Sequence, residues 1–169
     1  SGSRCEAALL SIGVKPQDLH ALLITHEHTD HSKSLSKLLS LGIKAYIPKT
    51  DRIDKMTYET DNIEYLNENT SYQVANWLKM VSFKVNHDVP SYGFAFYDTE
   101  TKKSTLFIND TKLFEFKYNN HKFDYIFIEC NHIRKQLEVI MQIALDNGDE
   151  HKVFKFKRQA AYHLSLLSC

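Results

Sequence analysis

The stretch Thr25-His26-Glu27-His28-Thr29-Asp30-His31 gathers three histidines and Asp30 directly after the apolar run Ala21-Leu22-Leu23-Ile24. Imidazole nitrogen and carboxylate oxygen are the atoms that hold zinc, manganese or iron. On a helix, His26 and His28 would point about 200° apart and could not share an ion. On an extended or looped segment at a strand's end, alternate side chains point the same way and can chelate together. The plainer alternative is a polar turn that happens to be rich in histidine. At ordinary residue usage, however, His-x-His-x-Asp-His arises by chance in such a chain on the order of once in ten thousand. The stretch therefore reads as a metal-binding loop.

Such a loop needs elements to hold it. Leu19 to Ile24 reads as a buried strand feeding the loop, and Leu35, Leu38 and Leu39 recur at helical spacing after it, up to a stop at Gly42. Asp30 or Ser32 is placed to cap that helix. Ile43 to Ile47 is a short strand closed by Pro48, and Arg4 to Ile12 is a short helix ended by Gly13. Lys49 to Asn69 is polar; Thr50 to Ile53 starts a short helix, and Asn62 to Asn69 reads as a surface loop. From Tyr72 the pattern changes to period two, and Val81, Phe83 and Val85 mark a half-buried strand that ends at His87-Asp88. Gly93 to Asp98 and Ser104 to Ile108 form a hairpin around Thr99–Lys103, and the second of these strands ends at Asn109-Asp110-Thr111. Phe123 to Ile128 reads as a buried strand ending at Glu129-Cys130-Asn131-His132. A helix follows with Ile133, Leu137, Ile140, Met141, Ala144 and Leu145 on one stripe. A basic and aromatic tail runs from His151 to Cys169. The order of elements implies one α/β sandwich over residues 1–169, with helices on the outside.

Each polar cluster (His26–His31, His87-Asp88, Asp110, Glu129–His132) thus sits at a strand end. Strand ends can converge on one rim, so clusters far apart in sequence can build one site. The remaining composition is unremarkable: 21 basic and 21 acidic residues cancel, which advertises no global attraction to nucleic acid or membrane. No apolar run approaches the ~20 residues of a membrane span. Cys5, Cys130 and Cys169 show no disulfide framework and no metal-binding spacing, which favours a reducing, cytoplasmic interior. Cys130 reads as a small buried residue. His132 suits either a structural role or support of a metal shell, while His20, His121 and His151 read as solvated. Lys152 to Arg158, interleaved with Phe154 and Phe156, could track a phosphate backbone, but an amphipathic segment with a solvated basic face is the simpler reading.

His26-x-His28-x-Asp30-His31, followed by His87 and Asp110, resembles the metal-binding series of the metallo-β-lactamase superfamily. The segments Leu23–His31, Ile108–Thr111, Ile128–His132 and His163-Leu164-Ser165 are similar to its small bacterial and phage YycJ/WalJ-type branch, whose members are described as nucleases. The resemblance implies a four-layer αββα sandwich. It also implies one metal on His26, His28 and His87, a second on Asp30 and His31, and Asp110 bridging the two, with zinc or manganese as the ions. In such a site two metals share a water, lower its pKa toward neutrality and clamp the attacked group, while Asp30 orients the water. His163 would face substrate or donate a proton; the alternative is a plain helix-start residue.

Two departures from the family pattern stand out. Ser1-Gly2-Ser3 resembles the residues just after the family's opening Asp-x-Gly turn, and the chain stops at Cys169, before the strand that carries the family's last histidine ligand. The expectation is a fold incomplete at both termini. The leading functional expectation is a metal-dependent phosphodiesterase acting on DNA or RNA, with no membrane partner. Another hydrolase of the superfamily, acting on thioesters, esters or lactams, and a non-catalytic metal-binding fragment are the alternatives.

Overall fold

The computed structural model describes residues 2–56, 61–112 and 121–165. Two sheets carry the helices. The first is parallel, with β1 (Leu22–Leu23), β2 (Ala45–Ile47) and β3 (Ile63–Tyr65) in that order. The second holds β4 (Thr70–Ala75), β5 (Leu78–Lys84), β6 (Tyr92–Asp98), β7 (Ser104–Ile108) and β8 (Tyr125–Ile128). Its first four strands pair antiparallel, and β8 joins β7 in parallel. The helices are α1 (Gly2–Ser11), α2 (Thr29–Ser32), α3 (Leu35–Leu39), α4 (Asp51–Met56), α5 (Arg134–Asp146) and α6 (Glu150–Tyr162).

The layering follows from the strand period of two. On β2, Ala45 and Ile47 join Ile24, Leu35, Leu39 and Ile53 in a core shared with α3 and α4. Tyr46, between them, points the other way, into a second core with Leu66, Tyr72, Met80, Tyr92 and Phe94. One three-residue strand thus binds helices on one face and the second sheet on the other. Each large apolar side chain buried this way contributes about 1.5–3 kcal/mol. This is an α/β arrangement of two sheets with helices, as the order of elements implied.

Several local expectations are corrected. Residues 63–65, read as surface loop, form β3, because parallel pairing to β2 decides the conformation where three residues are too few to show a period. In β5 the fully buried side chains are Met80 and Ser82, and Val81 and Phe83 lie on the half-buried face. β8, expected to be buried, is exposed: Tyr125, Ile126 and Phe127 are each more than half accessible. The α5 stripe buries only Leu137 and Ala144, leaving Ile133, Ile140 and Leu145 exposed, since little among the described residues packs over this region. Cys130 is exposed and not a small buried residue. Spacing along the chain does not reveal which segments meet in space. Cys169 lies outside the described residues.

Candidate metal centre

His26 and His28 lie off any helix, between β1 and α2, with ring centroids 4.7 Å apart. The loop is tied down by its backbone. Ser32 Oγ donates to the carbonyls of Glu27 and His28, at 3.0 Å each, and the Tyr92 amide donates to the Thr25 carbonyl at 2.9 Å. Arg52, on α4, donates to the Thr29 hydroxyl from outside. His87 follows β5 and brings its Nε2 to 3.3 Å from His28 Nδ1. His26, His28 and His87 can each offer a ligand atom within 4.8 Å of the others.

Asp110 follows β7 with φ 46°, a left-handed conformation that Asp tolerates better than most residues. Two contacts hold it there. Its amide donates to Glu129 Oε2 at 2.8 Å, and the next residue, Thr111, bonds Asn86 through its hydroxyl. The loop carrying Asp110 is thereby stitched to the loop carrying His87. Asp110 Oδ2 lies 2.7 Å from His31 Nε2, and its Oδ1 lies 3.0 Å from His163 Nδ1. His26, His31 and Asp110 form a second possible ligand set, and Asp110, Glu129 and His163 a third.

His163 caps the C-terminal end of α6, so it is not a helix-start residue. The Asn131 amide donates to the Leu164 carbonyl at 3.0 Å, and a parallel bridge joins His132 to Ser165. These bonds fix His163 beside Glu129. Asn131 in turn donates to Glu129 Oε1 at 2.8 Å. His132 therefore serves backbone pairing next to the site.

Asp30 is placed differently. Its side chain is 77% exposed at the rim, with Oδ2 at 3.5 Å from His31 Nε2, and it belongs to none of the three sets. Sequence reasoning gave no role to Glu129, or to Asp88, whose Oδ1 lies 3.3 Å from His28 Nε2 and 3.2 Å from His87 Nε2. Arg158 holds the other Asp88 oxygen at 2.6 Å. Both acids stood in strand-end clusters, which was the only signal available.

The electrostatics divide the site. Burial, reinforced by the neighbouring His31, pushes His26 down to about 3, and burial also lowers His87. Hydrogen bonds to Asp110 and then Glu129 push His163 up to about 9, and the bond to Asp110 raises His31. Burial alone would raise the Asp110 carboxyl, but bonds from His163 and His31 hold it far below the usual carboxylate range. Glu129 is lowered by His163.

The donor set fits a metal. Thr25 Oγ1 sits 3.0 Å from His26 Nδ1, an arrangement that leaves Nε2 free to ligate. That Nε2 is buried, has no hydrogen-bond partner among the described residues, and faces Asp110 Oδ2 at 3.6 Å. A buried nitrogen without a partner is costly unless something takes its lone pair. His28, His31, His87 and Asp110, in front of the buried His26, open into a cleft of ≈ 810 Å³ lined also by α6 and Arg52. No helix among the described residues is long and apolar enough to cross a membrane.

Residues 8–166 match the family model described as "Beta-lactamase superfamily domain". Exodeoxyribonuclease WalJ from Streptococcus pneumoniae, in strains D39 and R6, is 31% identical over 117 residues, which is 68% of this chain and 41% of the relative. The chain thus spans about 41% of the length of the curated relatives it matches. Among solved structures, the metallo-β-lactamase fold protein YhfI from Bacillus subtilis aligns with a TM-score of 0.58 at 18% identity, over 75% of this chain and 56% of its own. A metallo-β-lactamase HARLDQ-motif mutant from Cronobacter sakazakii aligns at 0.57 and 8% identity, over 91% and 72%. At those identities the structural likeness speaks for the fold alone. The family match, carried by the histidine loop and the fold around it, decides the assignment: this chain belongs to the metallo-β-lactamase superfamily.

Proposed function

We propose that the chain is the metal-holding part of a hydrolase that cleaves phosphodiesters in DNA or RNA, working in the cytoplasm. His26, His28 and His87 would hold one divalent ion, Asp30 and His31 a second, and Asp110 would reach both; zinc or manganese suits these donors. Bound there, two ions would supply an acidified water and positive charge to clamp the attacked phosphoryl group.

The remaining work falls to the chain's own residues. Asp30, at the open rim, would orient the attacking water and take its proton as the new P–O bond forms. His163, raised to about 9 by its hydrogen bonds to Asp110 and Glu129, is suited to carry a proton. It would pass that proton to the sugar oxygen that leaves as the old P–O bond breaks. Glu129 steadies the donor.

The observation that carries this reading is the sharing of residues between ligand sets: His26 belongs to two of them and Asp110 to two, in one cleft. The choice of phosphodiester over acyl substrates is supported by the exodeoxyribonuclease relative. The test is cleavage of single- and double-stranded DNA and of RNA by metal-loaded protein, beside a panel of esters, thioesters and lactams. Metal-stimulated cleavage of a nucleic acid, lowered on the order of 10³-fold or more by Asp110→Ala, is expected. Turnover of an acyl substrate with every nucleic acid left intact would contradict it.

A further inference from the structure

The α6 helix presents two different faces. His151, Phe154, Lys155, Arg158 and Tyr162 follow one another at helical spacing and line the cleft that holds the ligand sets. Phe154 is 63% exposed, a ring left in water at the cleft's mouth. It also lines a second groove of ≈ 400 Å³, on whose wall Lys157 stands. At about 100° per residue, Phe154 lies on the ridge between the grooves, with Lys155 to one side and Lys157 to the other.

The cations along α6 are not equivalent. Arg158 is engaged by Asp88, and Lys152 is paired with Asp149 in the helix's first turn. Lys155 and Lys157 have no acidic partner among the described residues. An exposed aromatic flanked by two uncommitted ammonium groups, on a path leading from a hydrolytic centre, has the composition of a single-strand platform: a stacked base with a phosphate on either side. A paired duplex offers no free base face to such a ring except at a frayed end. A small acyl substrate would need neither Lys157 nor the ridge.

We propose that Phe154, Lys155 and Lys157 form the platform over which an unpaired nucleic-acid strand passes out of the cleft, the base stacking on Phe154 and the phosphates meeting the two lysines. This rests on the phosphodiester reading above and adds the strand's path and its single-stranded form.

The test separates the two. Binding of a labelled single-stranded oligodeoxythymidylate, and of a hairpin duplex of equal length, is measured by fluorescence anisotropy in chelator, where no cleavage occurs. Phe154→Ala should weaken single-strand binding about tenfold, and Phe154→Tyr should restore it. Lys155→Ala and Lys157→Ala should each flatten the salt dependence by about 0.7 in slope, while Lys135→Ala on α5 should not. Circular dichroism confirms that each variant is folded. Unchanged affinity in Phe154→Ala, preference for the duplex, or no binding by the parent protein would overturn the platform. A parallel cleavage assay with metal reads the other claim. Cleavage that persists with unchanged KM in Phe154→Ala leaves the phosphodiester reading standing and removes the platform. Single-strand binding that depends on Phe154, with no cleavage of any nucleic acid, does the reverse.

Discussion

Around His26, His28 and His87, three imidazoles face one another, and burial holds His26 and His87 toward the neutral form. Around Asp110, Glu129 and His163, two carboxylates share one imidazole, and their hydrogen bonds raise it toward the protonated form. The two groups lie in one cleft and meet through His31, which bonds Asp110 and packs 4.2 Å from the His26 ring. The first group keeps a buried nitrogen without a partner and is ready for a cation. In the second, the His163 imidazole already sets positive charge beside the carboxylates. The contrast is between imidazoles that burial keeps neutral, and so open to a cation, and one that carboxylates keep charged.

The comparison breaks most severely at Glu129. Glu129→Ala removes the acceptor of the Asp110 amide and the second partner of His163. Metal affinity should fall 10–100-fold, as measured by competition with a chelator. Stability should fall by about 1–3 kcal/mol, read from denaturant titration. Glu129→Gln retains an acceptor and should recover most of the stability but not the affinity. Thr25→Val is a milder break on the other side. Without the hydroxyl beside Nδ1, His26 loses the bond that orients it, and affinity should drop roughly tenfold. Thermal melts of that variant in chelator should leave the Asp110 group unaffected.

A further break lies in the pH dependence of metal-free protein. His163 is raised from 6.5 to about 9, so its contribution is complete below pH 6.5 and fades as pH rises through 9. His26 is lowered from 6.5 to about 3, so the stability tied to its neutral form is complete above pH 6.5 and fades as pH falls toward 3. The two slopes oppose each other and place the maximum near pH 6.5. Thermal melts in chelator from pH 5 to 9 should show this, each kcal/mol moving Tm by about 2–4 °C. His163→Gln should flatten the alkaline side only.

Much of this was legible in the chain. The histidine loop declared itself because its chemistry is local: six consecutive residues carry both ligands and spacing. The strand ending at His87 was visible from period-two alternation, and the one ending at Asp110 as the return of a hairpin. β3 was not, since its conformation comes from pairing with β2 and not from its own residues. The exposure of β8 was hidden for a related reason, because an apolar run says that burial is favourable and not whether a partner layer is present. Glu129 and Asp88 escaped because their roles depend on contacts across 19 and 60 positions, to the Asp110 amide and to His28. The cleft-facing half of the basic tail appeared only once α6 had a direction.

The central claim is that these residues hold two divalent ions, one of them on His26, His28 and His87. Elemental analysis of protein loaded with zinc or manganese and then freed of loosely bound metal tests it directly. About two ions per chain are expected, with the histidine-held ion lost in His26→Ala. Fewer than about 0.1 ion per chain in carefully loaded protein, or a metal content that His26→Ala leaves unchanged, would contradict it.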